Sequence, residues 1–239
     1  MPRFFCDNIS DGMINITGPD ARHIGRSLRM RLGDEITVCS GGVEYLAKIL
    51  TISDECVSCE QLEKKESENE PDVFVTLFQA MPKSDKLDLI VQKATELGVS
   101  RICPVLTSRC VSRPDKKSFD KKLERLQRIS LEACKQSGRA RLVEITPLLS
   151  FGECLEEMKV CDVSLFCYEK GGKSLCRETF EGCKSIGLFI GSEGGFEQEE
   201  ADMAKASGAV LTGLGKRILR CETAPIAALS VIMNLTGNM

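Results

Sequence analysis

The chain has 239 residues, 42% of them apolar, and a formal net charge of −3. That length and apolar content predict one large domain or two smaller ones and exclude wholesale disorder. No run of about eighteen apolar residues exists to span a bilayer, and Met1-Pro2-Arg3-Phe4-Phe5-Cys6-Asp7 lacks the apolar core of a secretory signal, so a soluble, cytoplasmic protein is expected.

The thirteen cysteines are odd in number and scattered from Cys6 to Cys221. They read as reduced thiols filling core space rather than as a disulfide framework. The one Cys-x-x-Cys, Cys56-Val57-Ser58-Cys59, has no second close pair, and His23 is the only histidine. A structural zinc needs about four ligands, so no metal is expected.

In chain order, Phe4-Phe5, Met13 to Ile16, Glu35 to Val38 and Val43 to Ile52 are strand-like, with turns at Gly33-Asp34 and Ser40-Gly41-Gly42. Between them Pro19 to Leu32 reads as a helix, with Ile24, Leu28 and Leu32 on one face. The same stretch carries Arg22, His23, Arg26 and Arg29, which is either a solvated basic face or a phosphate-contacting surface. Cys56 to Glu60 alternates like a strand. Glu60 to Pro71 is almost devoid of apolar residues and reads as a linker or exposed turn, which places a domain boundary near residue 70.

Beyond it, strands and helices alternate. Val73 to Gln79 reads as a strand. Ser84 is the expected N-cap of a helix with Leu87, Ile90, Val91, Ala94 and Leu97 on one face and Gly98 as its stop. A strand from Arg101 to Leu106 precedes a helix from about Phe119 to Gln136. Between Arg109 and Arg141 there are eleven basic residues against four acids. Arg125 and Arg128 on the helix, flanked by Arg109, Arg113, Lys116, Lys117 and Arg139, outline a polyanion-binding surface or a solvated face. Further strands are expected at Leu142 to Thr146, Val163 to Tyr168, Ser185 to Ile190 and Ala209 to Thr212, with helices near 150–159, 174–180 and 197–206. The pattern predicts an α/β domain with a mostly parallel sheet over residues 71–239, preceded by a small β-rich domain over residues 1–70.

Two glycine-bearing turns follow the later strands: Ile190-Gly191-Ser192-Glu193-Gly194-Gly195-Phe196, and Leu214-Gly215-Lys216-Arg217-Ile218-Leu219-Arg220 leading into Cys221-Glu222-Thr223-Ala224-Pro225. Parallel sheets bind ligands at the carboxyl ends of their strands, where such turns lie. Neither turn matches a dinucleotide or P-loop pattern, and Glu197, Glu199 and Glu200 open the next helix. Acids there would repel a pyrophosphate. A ligand without phosphate, cationic such as S-adenosylmethionine, fits better.

With these turns, Ala21-Arg22-His23-Ile24, Leu28-Arg29-Met30, Lys86 to Val99 and Gln136-Ser137-Gly138-Arg139, the chain resembles the RsmE family of 16S ribosomal RNA uracil-N3 methyltransferases in the SPOUT superfamily. The resemblance implies an amino-terminal PUA-like RNA-binding barrel and a carboxy-terminal SPOUT domain with a trefoil knot. It also implies a homodimer and, as substrate, 16S ribosomal RNA, expected within a 30S particle. It places Leu165, Cys167, Tyr168, Ile190, Gly191, Glu193, Gly195, Leu214, Gly215, Ile218, Leu219 and Thr223 around S-adenosylmethionine. Arg220 is the implied stabiliser of a deprotonated uracil, and Glu222 either orients Arg220, accepts the proton or pairs structurally. Arg3, Arg22, His23, Arg26, Arg29, Arg109, Arg125, Arg128 and Arg139 would hold RNA phosphates. The family usually has proline at the position of Ser192 and threonine at that of Cys221. A methyltransferase of another RNA position and a non-catalytic RNA-binding protein are the rival readings.

Overall fold

The computed structural model describes residues 1–239, the side chain of Lys116 excepted. It divides into two units, Met1–Glu70 with Cys134–Leu142, and Pro71–Ala133 with Val143–Met239.

The first unit is built on a six-stranded sheet in the order β1-β4-β5-β6-β3-β2. Its strands are β1 (Arg3–Phe5), β2 (Ile9–Ser10), β3 (Met13–Thr17), β4 (Glu35–Ser40), β5 (Val43–Ile52) and β6 (Cys56–Glu66). Alternation along these strands sends Phe4, Ile14, Ile16, Ile36, Val38 and Val57 into one apolar core. Two sequence expectations fail here. The stretch from Glu60 to Glu66 is not a linker: β6 runs through it, pairing Lys64, Lys65 and Glu66 with Tyr45, Glu44 and Val43 of β5. Beyond Glu60 it has β5 but no longer β3 as a neighbour, so most of its side chains stay in water while backbone hydrogen bonds to β5 keep it extended. The helix expected over Pro19 to Leu32 is short. Helix α1 (Pro19–Arg22) runs into a π-helical turn, His23–Ser27, and Arg29 turns the chain away with φ +52°. Ile24 is buried, whereas Leu28 and Leu32 are exposed.

The second unit carries a seven-stranded parallel sheet. Its main path is β10-β8-β7-β12-β11-β13, with β9 paired to β8. In chain order the strands are β7 (Phe74–Ala80), β8 (Arg101–Leu106), β9 (Glu144–Ile145), β10 (Leu149–Ser150), β11 (Val163–Cys167), β12 (Ser185–Ile190) and β13 (Val210–Thr212). The helices are α2 (Lys86–Glu96), α3 (Lys116–Ser137), α4 (Phe151–Met158), α5 (Gln198–Ala206) and α6 (Thr223–Leu235). β7 and β12 are buried along nearly their whole length, as a sheet covered on both faces requires. The expected helix over 174–180 is only a 3-10 turn, Arg177–Phe180, and the strand over Leu142 to Thr146 shrinks to β9. Ser84 does not cap α2. It has φ +55°, and the N-cap is Asp85, with no side-chain cap hydrogen bond. Among the described residues no helix is long and apolar enough to cross a membrane.

Candidate active site

Register brings three strand ends together. Cys167, the last residue of β11, lies opposite Ile190 of β12 and Thr212 of β13, so the segments after all three strands emerge side by side. They enclose a cleft of about 470 Å³, within the range of ligand pockets.

The first glycine turn is pinned at both ends. Gln79, wholly buried at the end of β7, donates from Nε2 to the carbonyl of Gly191 at 3.3 Å. Phe196, wholly buried, stacks on Phe166 with ring centroids 4.1 Å apart and meets Phe189 edge-on. Between these anchors the wall is bare backbone by necessity. A Cβ on Gly195, which sits at φ +66°, would reach within 2.5 Å of the Glu169 carboxylate, and one on Gly191 within 3.1 Å of the Phe196 ring. The hydroxyl of Ser192 is buried against the cleft and, among the described residues, has no hydrogen-bond partner.

Lys86, at the start of α2, is a lining cation held by carboxylates. Its Nζ lies 3.0 Å from Glu193 Oε1 and 3.1 Å from Glu222 Oε2, tying the first glycine turn to the N-cap of α6. The bonds to Glu193 and then to Glu222 hold the ammonium's pKa above its ordinary value. Partial burial alone would raise both carboxyls. Backbone donors and Lys86 outweigh it and leave both below the ordinary carboxylate value. The Cys221 thiol, pushed up to about 12 by burial and then by Glu222, stays protonated and donates to Glu222 Oε2 at 3.2 Å. Glu222 is therefore ionised at neutral pH and already solvated by two donors, which makes it a weak proton acceptor. It does not orient Arg220 either. Arg220 is exposed at the cleft and, among the described residues, makes no side-chain hydrogen bond or ion pair.

Of the residues expected around a cofactor, Cys167, Tyr168, Ile190, Gly191, Glu193, Gly195, Leu214, Gly215, Ile218 and Leu219 line the cleft. Leu165 is wholly buried inside β11 and Thr223 is exposed at the start of α6; neither lines it. Spacing alone had not singled out Lys86, Glu169 or Thr212, all of which do.

The basic residues separate into two groups. Arg22, His23, Arg29 and Arg128 are exposed. Arg26 pairs with Asp54 on the surface, and Arg125 with Asp85 and Asp88. Arg139 leaves the expected surface stripe. It is 3% exposed, with Nη2 2.8 Å from Glu70, which also accepts the backbone N–H groups of Ala140 and Arg141. Arg3 is likewise turned inward, bonded to Glu44, to the Cys39 sulfur and to the Arg139 carbonyl. Arg113 donates to the Thr107 carbonyl at 2.8 Å. Arg109 pairs with Glu197 at 2.8 Å and donates to the Gly194 carbonyl at 3.0 Å. The side chain of Lys116 lies outside the described residues.

Comparison with known proteins identifies the family. Residues 68–233 match the RNA methyltransferase domain family, and residues 16–60 match the RNA methyltransferase PUA domain. Ribosomal RNA small subunit methyltransferase E of Bacillus subtilis is 35% identical over 226 residues, covering 91% of this chain and 88% of that one. The chain belongs to this family. Members from other bacteria extend the likeness: that of Synechocystis is 32% identical over 95% of this chain and 74% of its own. The fold is shared as well. The crystal structure of the family member from Neisseria gonorrhoeae bound to S-adenosyl methionine superposes with a TM-score of 0.86, at 33% identity over 98% of both chains.

Proposed function

We propose that this chain transfers a methyl group from S-adenosylmethionine to N3 of a uridine in 16S ribosomal RNA. It acts as a homodimer on RNA held in a small-subunit particle. The family supports an RNA methyltransferase, and the Neisseria relative is named as bound to the cofactor. The observation that carries the reading is the cleft itself: two glycine turns meet at the strand ends, and an unpaired arginine stands beside them.

The residues present fit the cofactor. Gly191 and Gly195 expose backbone at the cleft where a side chain would collide with Phe196 and Glu169, and among the described residues the Ser192 hydroxyl has an unmet hydrogen bond. The carboxylates of Glu169 and Glu193 on the wall suit a sulfonium. Cys167, Tyr168, Ile190, Leu214 and Leu219 would supply the apolar surroundings of the adenosyl group. Bound S-adenosylmethionine supplies an electrophilic methyl. The uracil N3 loses its proton and forms the new N–C bond as the S–C bond breaks, leaving S-adenosylhomocysteine. Negative charge spreads over the uracil carbonyl oxygens before attack, and Arg220, which lines the cleft with Lys216 and Arg217 and stands just before Glu222 at the start of α6, is the cation assigned to stabilise it. Glu222, ionised and engaged by Lys86 and Cys221, holds the site together; the proton leaves to water. The reacting edge is the pairing edge, so the base must be unpaired.

Exposed Arg22, His23, Arg29 and Arg128 would contact phosphates, which position the RNA without reading sequence. α6 is apolar on most faces, with Val231 42% exposed, and Ile218 beside the cleft is 85% exposed. Apolar surface left in water on one chain favours cover by a second copy.

Titration of the purified protein with S-adenosylmethionine by calorimetry should show one saturable site per chain, and sedimentation should give twice the chain mass. Absence of binding at millimolar cofactor would remove the methyltransferase reading, and a monomer would remove the dimer.

A further inference from the structure

The segment that follows β8 is bonded to the first glycine turn at several points. Arg109 donates from Nη1 to the Gly194 carbonyl at 3.0 Å and from Nη2 to Glu197 Oε2 at 2.8 Å, with Glu169 3.8 Å from the guanidinium. The backbone N–H of Ser108 donates at 2.7 Å to Glu200, a carboxylate only 5% exposed. The other oxygen of Glu200 accepts the Glu197 N–H at 2.9 Å, closing the capping box that starts α5. Packing is equally close: a Cβ on Gly194 would come within 2.9 Å of the Arg109 Cβ. Arg113 in turn donates to the Thr107 and Ser108 carbonyls, bracing the same segment.

We propose that Arg109 is a positioning residue for the cofactor turn rather than a phosphate contact, its forked guanidinium fixing Gly194 and Glu197 together so that Gly191 to Gly195 presents its backbone to the cofactor. The fork is the decisive chemistry. One planar group reaches a carbonyl and a carboxylate at once, with less entropy lost per bond than a lysine would need. A phosphate would have to displace both partners. The acids that open α5 acquire a purpose in the same stroke: Glu197 receives Arg109, and Glu200 receives Ser108, so both are spent on the turn. Glu169 and Glu193 also line the cleft, Glu169 beside Arg109 and Glu193 paired with Lys86.

This inference rests on the cofactor reading above, and the test separates the two. Affinity for S-adenosylmethionine is measured by calorimetry, and affinity for a 16S RNA fragment is measured across a salt series. Wild-type protein, Arg109→Ala, Arg109→Lys and Glu197→Gln are compared. If wild type binds no cofactor, the cofactor reading fails first and this inference falls with it. If wild type binds, both Arg109 variants should weaken cofactor binding about fivefold with an unchanged salt slope for RNA. Lysine should not rescue, since it cannot fork. Glu197→Gln, which leaves the arginine in place, should weaken cofactor binding in the same direction, and its effect should not add to that of Arg109→Ala. Unchanged cofactor affinity together with an RNA salt slope reduced by about one in Arg109→Ala would make Arg109 a phosphate contact and overturn the proposal. Should Arg109→Ala fail to fold, Glu197→Gln decides alone: unchanged cofactor affinity overturns the proposal.

Discussion

Replacing Arg220 by alanine is expected to lower kcat for RNA methylation roughly 10²-fold while changing cofactor affinity little, the usual cost of removing one preorganised donor to a developing anion. Several observations combine here. Arg220 lines the cleft, is exposed, and has no side-chain partner among the described residues, so its charge is available to a bound base. The neighbouring cation, Lys86, is held by two carboxylates and has no such freedom. The backbone around Arg220 is fixed, its carbonyl accepting the N–H groups of both Thr223 and Ala224 at 2.9 Å, so the side chain departs from a set place at the start of α6. Steady-state kinetics with cofactor and RNA varied separately check this. A variant with unchanged kcat and a raised KM for cofactor alone would assign Arg220 to cofactor binding instead.

Lys86→Met should cost on the order of 30-fold in kcat/KM. The loss should be shared between a weaker cofactor site and slower turnover. The substitution leaves Glu193 and Glu222 facing a common space with no cation between them. Glu193 keeps the Lys83 N–H, at 3.1 Å to Oε1, and Glu222 keeps the Cys221 thiol, so the fold survives while the cleft wall loosens. The pH behaviour carries the sign. In the wild type both carboxyls lie below their ordinary value. Their contribution to stability is present above that value and fades only as pH falls through the lowered one. The raised Lys86 ammonium contributes below the ordinary lysine value and loses its contribution as pH rises through the raised one. Lys86→Met should therefore move the acid limb of the activity profile to higher pH, and Lys86→Arg should return much of it. A pH profile identical to wild type would show that the ion pairs are incidental.

The parallel sheet was legible because its strands are short, nearly all-apolar runs separated by helix-period segments. The carboxyl-end rule then pointed from β12 and β13 to both glycine turns. What escaped depended on neighbours that spacing does not contain. The outer half of β6 is polar because only β5 borders it, and by composition that is indistinguishable from a linker. Lys86 follows β7, and β7 lies beside β12; once that adjacency is known, the same rule that selects the glycine turns selects Lys86. The charge of Arg139, Arg3 and Arg109 was visible, but their partners Glu70, Glu44 and Glu197 stand 41 to 88 positions away, so a sequence stripe could not tell a solvated cation from a committed one. The acids after Phe196 were visible as a charge at the start of α5, but their structural use, receiving Arg109 and Ser108, was not.

The most direct measurement takes small ribosomal subunits from cells lacking this protein and incubates them with the purified chain and methyl-labelled S-adenosylmethionine. The 16S RNA is then digested and its nucleosides are resolved by mass spectrometry. The account predicts label in N3-methyluridine at a single position, absent when Arg220→Ala replaces the wild type over the same time. Label in another nucleoside, or in none while the protein binds cofactor, would contradict it.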